Sequence, residues 1–190
     1  ALTTSKVAVD FQDNRNRQHT HLTAATIDRQ GLLSDIAGVL YALDVNVHSA
    51  QVFTRTDGIC LDILEVDCDG RSLAETKKDQ VDVELTAVIE GTATCDNLLE
   101  RLGKPVPRLP KGISATVISS EGEAQAVVEV RAPDVPGLLY TLTEHFQQEG
   151  FSIRSAKVAT WGHRVRDVFY ITDADGNGPS ADMLQKLIKS

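Results

Sequence analysis

Two stretches of this sequence set an aspartate three residues ahead of a glycine and follow the glycine with two leucines. They are Asp28-Arg29-Gln30-Gly31-Leu32-Leu33 and Asp134-Val135-Pro136-Gly137-Leu138-Leu139. Apolar residues then recur at three-and-four spacing: Leu32, Leu33, Ile36, Ala37, Leu40 and Leu43 in the first stretch, and Leu138, Leu139, Leu142 and Phe146 in the second. Each glycine is therefore expected at the start of an amphipathic helix. The first backbone N–H groups of a helix lack internal partners and carry the positive end of its dipole. A glycine there lets a ligand come close to the backbone, and a carboxylate is the natural occupant. Asp28 and Asp134, at the front of each turn, offer a partner to an ammonium group. Both charges of a free amino acid would then be met. The same residues also make a plain helix cap and turn with no ligand, and that reading stays open.

Other chemistry is thinner. His19 and His21 share one strand face by alternation, but no third ligand follows at the spacing a zinc site uses, so no metal site is expected. The run from Asp173 begins like an EF-hand loop, yet its twelfth position is Leu184 where a bidentate Glu is needed, and a strand precedes it. No GxSxG elbow occurs, Cys60 falls within an expected strand, and His48 and His163 stand alone. Catalytic residues and cofactors are accordingly not expected. Cys60, Cys68 and Cys95 form no CxxC pair and read as reduced thiols of a cytoplasmic protein.

The elements that would hold these turns are repeated as well. The segment beginning at Asp28 falls on the segment beginning at Asp134 with a shift of 106, gapless through Gly70 and Gly176. HLTAATI and QAVVEVRA read as the strands before each turn. VNVHSAQVFT with GICLDILEV, and FSIRSAKVAT with RVRDVFYIT, read as the strand pairs after each helix, joined at Asp57-Gly58 and Trp161-Gly162. Gly150 supplies a helix stop in the second copy where the first has Asp44. A second helix is expected after Ser180. Its best match in the first copy, DNLLERL from Asp96, lies at a shift of 86, implying about 20 inserted residues somewhere in 71–95, where VDVEL looks strand-like.

KVAVDF (6–11) and ISATVIS (113–119) precede the two copies and would complete each sheet, either as hairpins or by exchange between halves. The expected layout is a first domain at 1–103, a proline-rich linker at 104–112 and a second domain at 113–190. Net charge is −8, hydrophobic residues make up 42%, and the Arg15–Arg17 run is short and flanked by acids, so nucleic acid is a poor partner. No stretch approaches the roughly 18 apolar residues of a membrane span. Ala1 in place of Met leaves open that the chain is a piece of a longer protein.

These residues resemble the ACT domain, a regulatory βαββαβ module. The second copy, VEVRAPDVPGLLYTLTEHF to SIRSAKVATWGHRVRDVFYITDADG, is similar to the C-terminal ACT pair of the bacterial nitrogen-sensing uridylyltransferase and to plant ACT-repeat proteins. The resemblance implies an α+β fold: two ferredoxin-like domains in tandem, each a four-stranded antiparallel sheet with two helices on one face. It also implies ligand-binding roles for Asp28, Gly31, Leu32, Leu33 and Asn46, and for Asp134, Gly137, Leu138, Leu139 and Ser152. Asn46 and Ser152 enter because the family's pocket reaches the start of the second strand. The function so implied is that of a non-catalytic sensor of a small molecule, an amino acid with glutamine the first to test. It would pass its signal to an unknown partner protein, with a homodimer through ACT-ACT contacts possible. A ligand-free interaction module and the regulatory tail of a uridylyltransferase-like enzyme are the alternatives.

Overall fold

The computed structural model describes residues 7–14, 16, 18–119, 124–180 and 183. Its first half runs β1 (Ala8–Asn14), β2 (His19–Ile27), α1 (Leu32–Ala42), β3 (Asn46–Thr54), β4 (Ile59–Asp67), α2 (Glu75–Ile89) and α3 (Cys95–Leu102). The second runs β5 (Ser114–Ser119), β6 (Ala126–Pro133), α4 (Leu138–Gln148), β7 (Ser152–Trp161) and β8 (Arg164–Thr172). Within each half the strands lie in the ferredoxin-like order, β1-β2-β4-β3 and β5-β6-β8-β7, every pairing antiparallel. The expected hairpins complete the sheets: β1 pairs with β2 and β5 with β6, each within its own half.

The halves then fuse. β3 pairs antiparallel with β7 through Ser49–Ala159, Ala50–Val158 and Gln51–Lys157, making one eight-stranded sheet. Gln51 and Lys157 are counterparts in the repeat, so a pseudo-two-fold axis passes between them. α1 packs against α2, α3 and α4, forming a helical layer over one face. Alternation drives the strands into this core. Leu22 and Ala24 of β2, Leu64 and Val66 of β4, Val128 and Val130 of β6, and Phe169 and Ile171 of β8 are all buried in one cluster.

Three local readings change. The segment VDVEL belongs to α2, whose Lys78, Val81, Leu85 and Val88 are buried at helical spacing, while Val83 is exposed. Its valine-acid alternation mimics a strand because two of its three apolar residues also fall on the helix stripe. α2 follows Ala74, the counterpart of Ser180 at a shift of 106. Met183 is helical there, and its N–H donates to Ser180 Oγ at 3.3 Å. α2, and not DNLLERL, is thus the first-half counterpart of the helix expected after Ser180, and DNLLERL forms α3, capped by Thr94. The rest of the second-half helix lies outside the described residues.

The repeat is also not gapless. Ala24 faces Asp62 across the sheet and its counterpart Val130 faces Asp167, a shift of 105 along β4 and β8. The first hairpin closes Thr54 on Cys60 and the second closes Thr160 on Val165, one residue tighter. The turn after β8 regains that residue. Asp44, without glycine's freedom, still ends α1 in the left-handed region at φ 57°, as Gly150 ends α4 at 83°.

Candidate functional site

Both turn glycines adopt the backbone their position demands. Gly31 has φ 79° and Gly137 φ 78°, each at the N-cap of its helix, and among the described residues neither α1 nor α4 receives a side-chain cap. The N–H of Asp28 donates to Gly58 O at 2.8 Å and that of Asp134 to His163 O at 3.0 Å, tying each turn to the hairpin of its own half. Each turn opens on a cavity whose opposite wall comes from the other half.

The first cavity, about 190 Å3, joins Asp28, Gly31, Leu32 and Leu33 to Ser152 at the start of β7. The second, about 420 Å3, joins Asp134, Gly137, Leu138 and Leu139 to Asn46 at the start of β3. All ten residues singled out in the sequence therefore line two cavities, with Asn46 and Ser152 each crossing to the other half's turn. The crossing follows from the β3–β7 junction. Pairing those strands antiparallel about the pseudo-two-fold sets the start of each beside the partner turn.

Two acids missing from that set lie in the same cavities. Asp62 lines the first and Asp167 the second, each only 1% exposed. They are structural counterparts at the shift of 105. Burial pushes Asp62 up to about 6, against the opposing Cys60 hydrogen bond and with Asp28 adding to the rise. Burial likewise lifts Asp167 to about 7, against a hydrogen bond from the Ala159 N–H and with Asp134 adding. Cys60 Sγ donates to Asp62 Oδ1 at 3.1 Å, while Oδ2 is buried with no partner among the described residues. Burial, first, and Asp62 hold the Cys60 thiol far above its ordinary range, so it stays a protonated donor. The signal for both acids was legible: Cys60, Asp62, Leu64, Val66 and Val165, Asp167, Phe169, Ile171 alternate inward, and an acid interrupts an apolar face in each. The ungapped repeat hid their equivalence by setting Asp62 against Val168.

The two sites differ in their charges. Asp28 is engaged: its Oδ2 accepts from Thr54 Oγ1 at 3.0 Å and from Arg154 Nη1 at 3.1 Å. Asp134 is exposed and has no side-chain hydrogen bond among the described residues. Counterparts 106 residues apart cover the glycines. A Cβ on Gly31 would stand 2.5 Å from Gln147 Oε1, and one on Gly137 would meet Pro107 Cβ at 2.8 Å and the Tyr41 ring at 3.0 Å. The proline-rich segment thus packs against the Gly137 turn, held there by the Tyr41 hydroxyl donating to Pro105 O at 2.9 Å. Arg29 and Arg154 line the first cavity, whereas Asp44, Asp69, Asp134 and Asp167 line the second, with no Lys or Arg among the described residues.

No family model matches the chain. It is 33% identical over 189 residues to a bifunctional uridylyltransferase/uridylyl-removing enzyme of Bradyrhizobium diazoefficiens, covering 97% of this chain and 20% of that enzyme. Enzymes of the same name from Rhodopseudomonas palustris and Rhodospirillum rubrum are 32% identical over 193 residues and 31% over 179. The chain thus spans about a fifth of the length of these relatives, in their C-terminal region. Among solved structures, the crystal structure of aspartate kinase from Synechocystis covers 91% of the chain, and the chain covers 27% of it, at 15% identity and a TM-score of 0.46. No helix among the described residues is long and apolar enough to cross a membrane. The protein is a homologue of the C-terminal region of the bifunctional uridylyltransferase/uridylyl-removing enzymes, folded as two fused ferredoxin-like ACT units.

Proposed function

We propose that this chain is a regulatory ligand-binding module that takes a free amino acid in one or both cavities. The observation carrying this reading is the pairing, made twice about one pseudo-axis, of an uncapped helix start with a buried carboxyl from β4 or β8. A carboxylate at the first-turn N–H groups and an ammonium against Asp62 or Asp167 would neutralise both charges of a zwitterion. This reassigns the ammonium partner from Asp28, which Arg154 already holds. The first cavity is smaller than the roughly 300–1,000 Å3 typical of drug-sized ligands, which suits a small metabolite.

Each cavity is walled by both halves, so an occupant would bear on the β3–β7 and α1–α4 contacts, and through them on a partner or an attached domain. Similarity to the uridylyltransferases makes glutamine the first amino acid to test and a uridylyl-transferring protein the first candidate to be regulated. The free thiols of Cys60, Cys68 and Cys95 suit the cytoplasm. A thermal-shift panel of the twenty amino acids tests the reading, since a ligand at 100 times its Kd adds about 2.7 kcal/mol to stability. One or more amino acids should raise the Tm, and D62N or D167N should abolish the shift while leaving the fold intact. A flat panel at 10 mM of each would sink the proposal and leave a ligand-free interaction module.

A further inference from the structure

On the first half, the start of β2, the end of β4 and the start of β3 lie side by side and bring together three residues that the sequence scatters. His19 opens β2, Asp67 closes β4 between its neighbours, and His48 sits at a β-bulge where the β3–β4 register shifts between Val47 and Ser49. A bulge re-aims a side chain that regular pleating would send elsewhere. Here His48 Nε2 lies 2.5 Å and His19 Nε2 4.0 Å from the same oxygen, Asp67 Oδ2. The imidazoles are stacked, with centroids 4.3 Å apart and planes 10° apart. One candidate ligand atom from each of the three residues falls within 4.8 Å of the others.

We propose that His19, His48 and Asp67 form a binding site for a divalent transition-metal ion such as Zn2+. Two imidazoles and one carboxylate suit Zn2+, Co2+, Ni2+ or Fe2+, whereas Mg2+ and Ca2+ prefer oxygen-only shells. Ligand nitrogens and oxygens stand about 2.0–2.2 Å from zinc, so an ion between the three atoms requires small side-chain rotations. The outer shell of Asp67 is in place. Asp67 Oδ1 accepts from Asn46 Nδ2 at 2.9 Å and from the Gly70 N–H at 3.4 Å, which fixes the carboxylate and leaves Oδ2 for the ion. The side chains of His19 and His48 remain 24% and 35% exposed, so water can enter and complete a three-ligand shell. His48 and Asn46 also line the second cavity, so ion and cavity share two residues.

The test is titration of the chelator-stripped chain with Zn2+ by calorimetry, paired with Co2+ whose visible absorption reports its ligands. One ion per chain should bind, and H19Q and H48Q should each weaken binding at least tenfold and change the Co2+ spectrum. H163Q, at a histidine outside the cluster, should bind within twofold of the parent. Circular dichroism of each variant separates loss of a ligand from loss of the fold. Absence of one-to-one binding at 1 mM Zn2+, or undiminished binding in the folded H19Q/H48Q double variant, would overturn the site and leave the three residues as a hydrogen-bonded His48–Asp67 pair with a stacked neighbour.

Discussion

Replacing Asp62 by asparagine should change how the stability of the protein depends on pH. The carboxyl is 1% exposed, and burial lifts it from an ordinary 3.8 to about 6. A shift of about 2 units is worth about 3 kcal/mol between the protonated and ionised forms. Because the folded value is the raised one, the native state holds its proton more tightly than the unfolded chain. The stability this contributes is fully present below about pH 3.8 and is lost as pH rises through about 6. Above that window the native state keeps an ionised, half-partnered carboxylate in its core. Asparagine retains the oxygen that accepts from Cys60 and cannot ionise. Its amide N–H needs a partner, an offset of about 1–3 kcal/mol that does not vary with pH. The informative quantity is therefore the change in the difference between D62N and the parent, about 3 kcal/mol in favour of D62N from pH 4 to pH 8. Urea denaturation at half-unit intervals, extrapolated linearly, reads it directly. A constant offset across the range would refute the reasoning, because it would mean that Asp62 ionises in the folded protein as it does in the unfolded chain.

D167N should behave likewise with its window moved up to about pH 7 and a swing of about 4 kcal/mol, checked by the same denaturation series. G31A and G58A share a left-handed backbone, which costs about 1–2 kcal/mol in either, but only G31A also strikes Gln147. Thermal unfolding should therefore find G31A the less stable of the two, and Q147A should narrow the gap. G38A should lose about 1–3 kcal/mol in urea despite alanine's better helix propensity, because its Cβ would lie 2.6 Å from Cys95 Sγ and 3.0 Å from the Tyr140 ring; C95A should restore part of it. F169A, emptying a fully buried ring site against Phe146, should cost about 3–5 kcal/mol by the same measurement.

The elements were legible where period and turn chemistry agreed. Leu32, Leu33, Ile36 and Leu40 mark one face of α1, and Gly31 and Gly137 stand where only a left-handed residue can start the helix. Where two periods overlap, as in VDVEL, the alternation was misleading, because Val81 and Leu85 satisfy both a strand face and a helix stripe. Asp62 and Asp167 were readable as acids on inward faces. Recognising them as a pair required cross-strand register, because a tighter second hairpin and a longer turn after β8 cancel in a gapless comparison. His19, Asp67 and His48 were unreadable as a group: they come from three strands, and a bulge re-aims one of them.

Local chemistry in the chain was enough to settle that there are two copies of one unit, each opening a helix at a glycine behind an aspartate, because spacing, apolar period and turn residues are properties of neighbouring positions. The joining of the copies was decided only by the fold. β3 and β7 pair across a separation of more than 100 residues, and that single antiparallel register sends Ser152 to the Gly31 turn and Asn46 to the Gly137 turn. It also sets Gln147 over one glycine and Tyr41 over the other. A cavity walled by two halves is a product of that register, since the pairing energy of strands so distant depends on the whole assembled sheet and not on either segment alone.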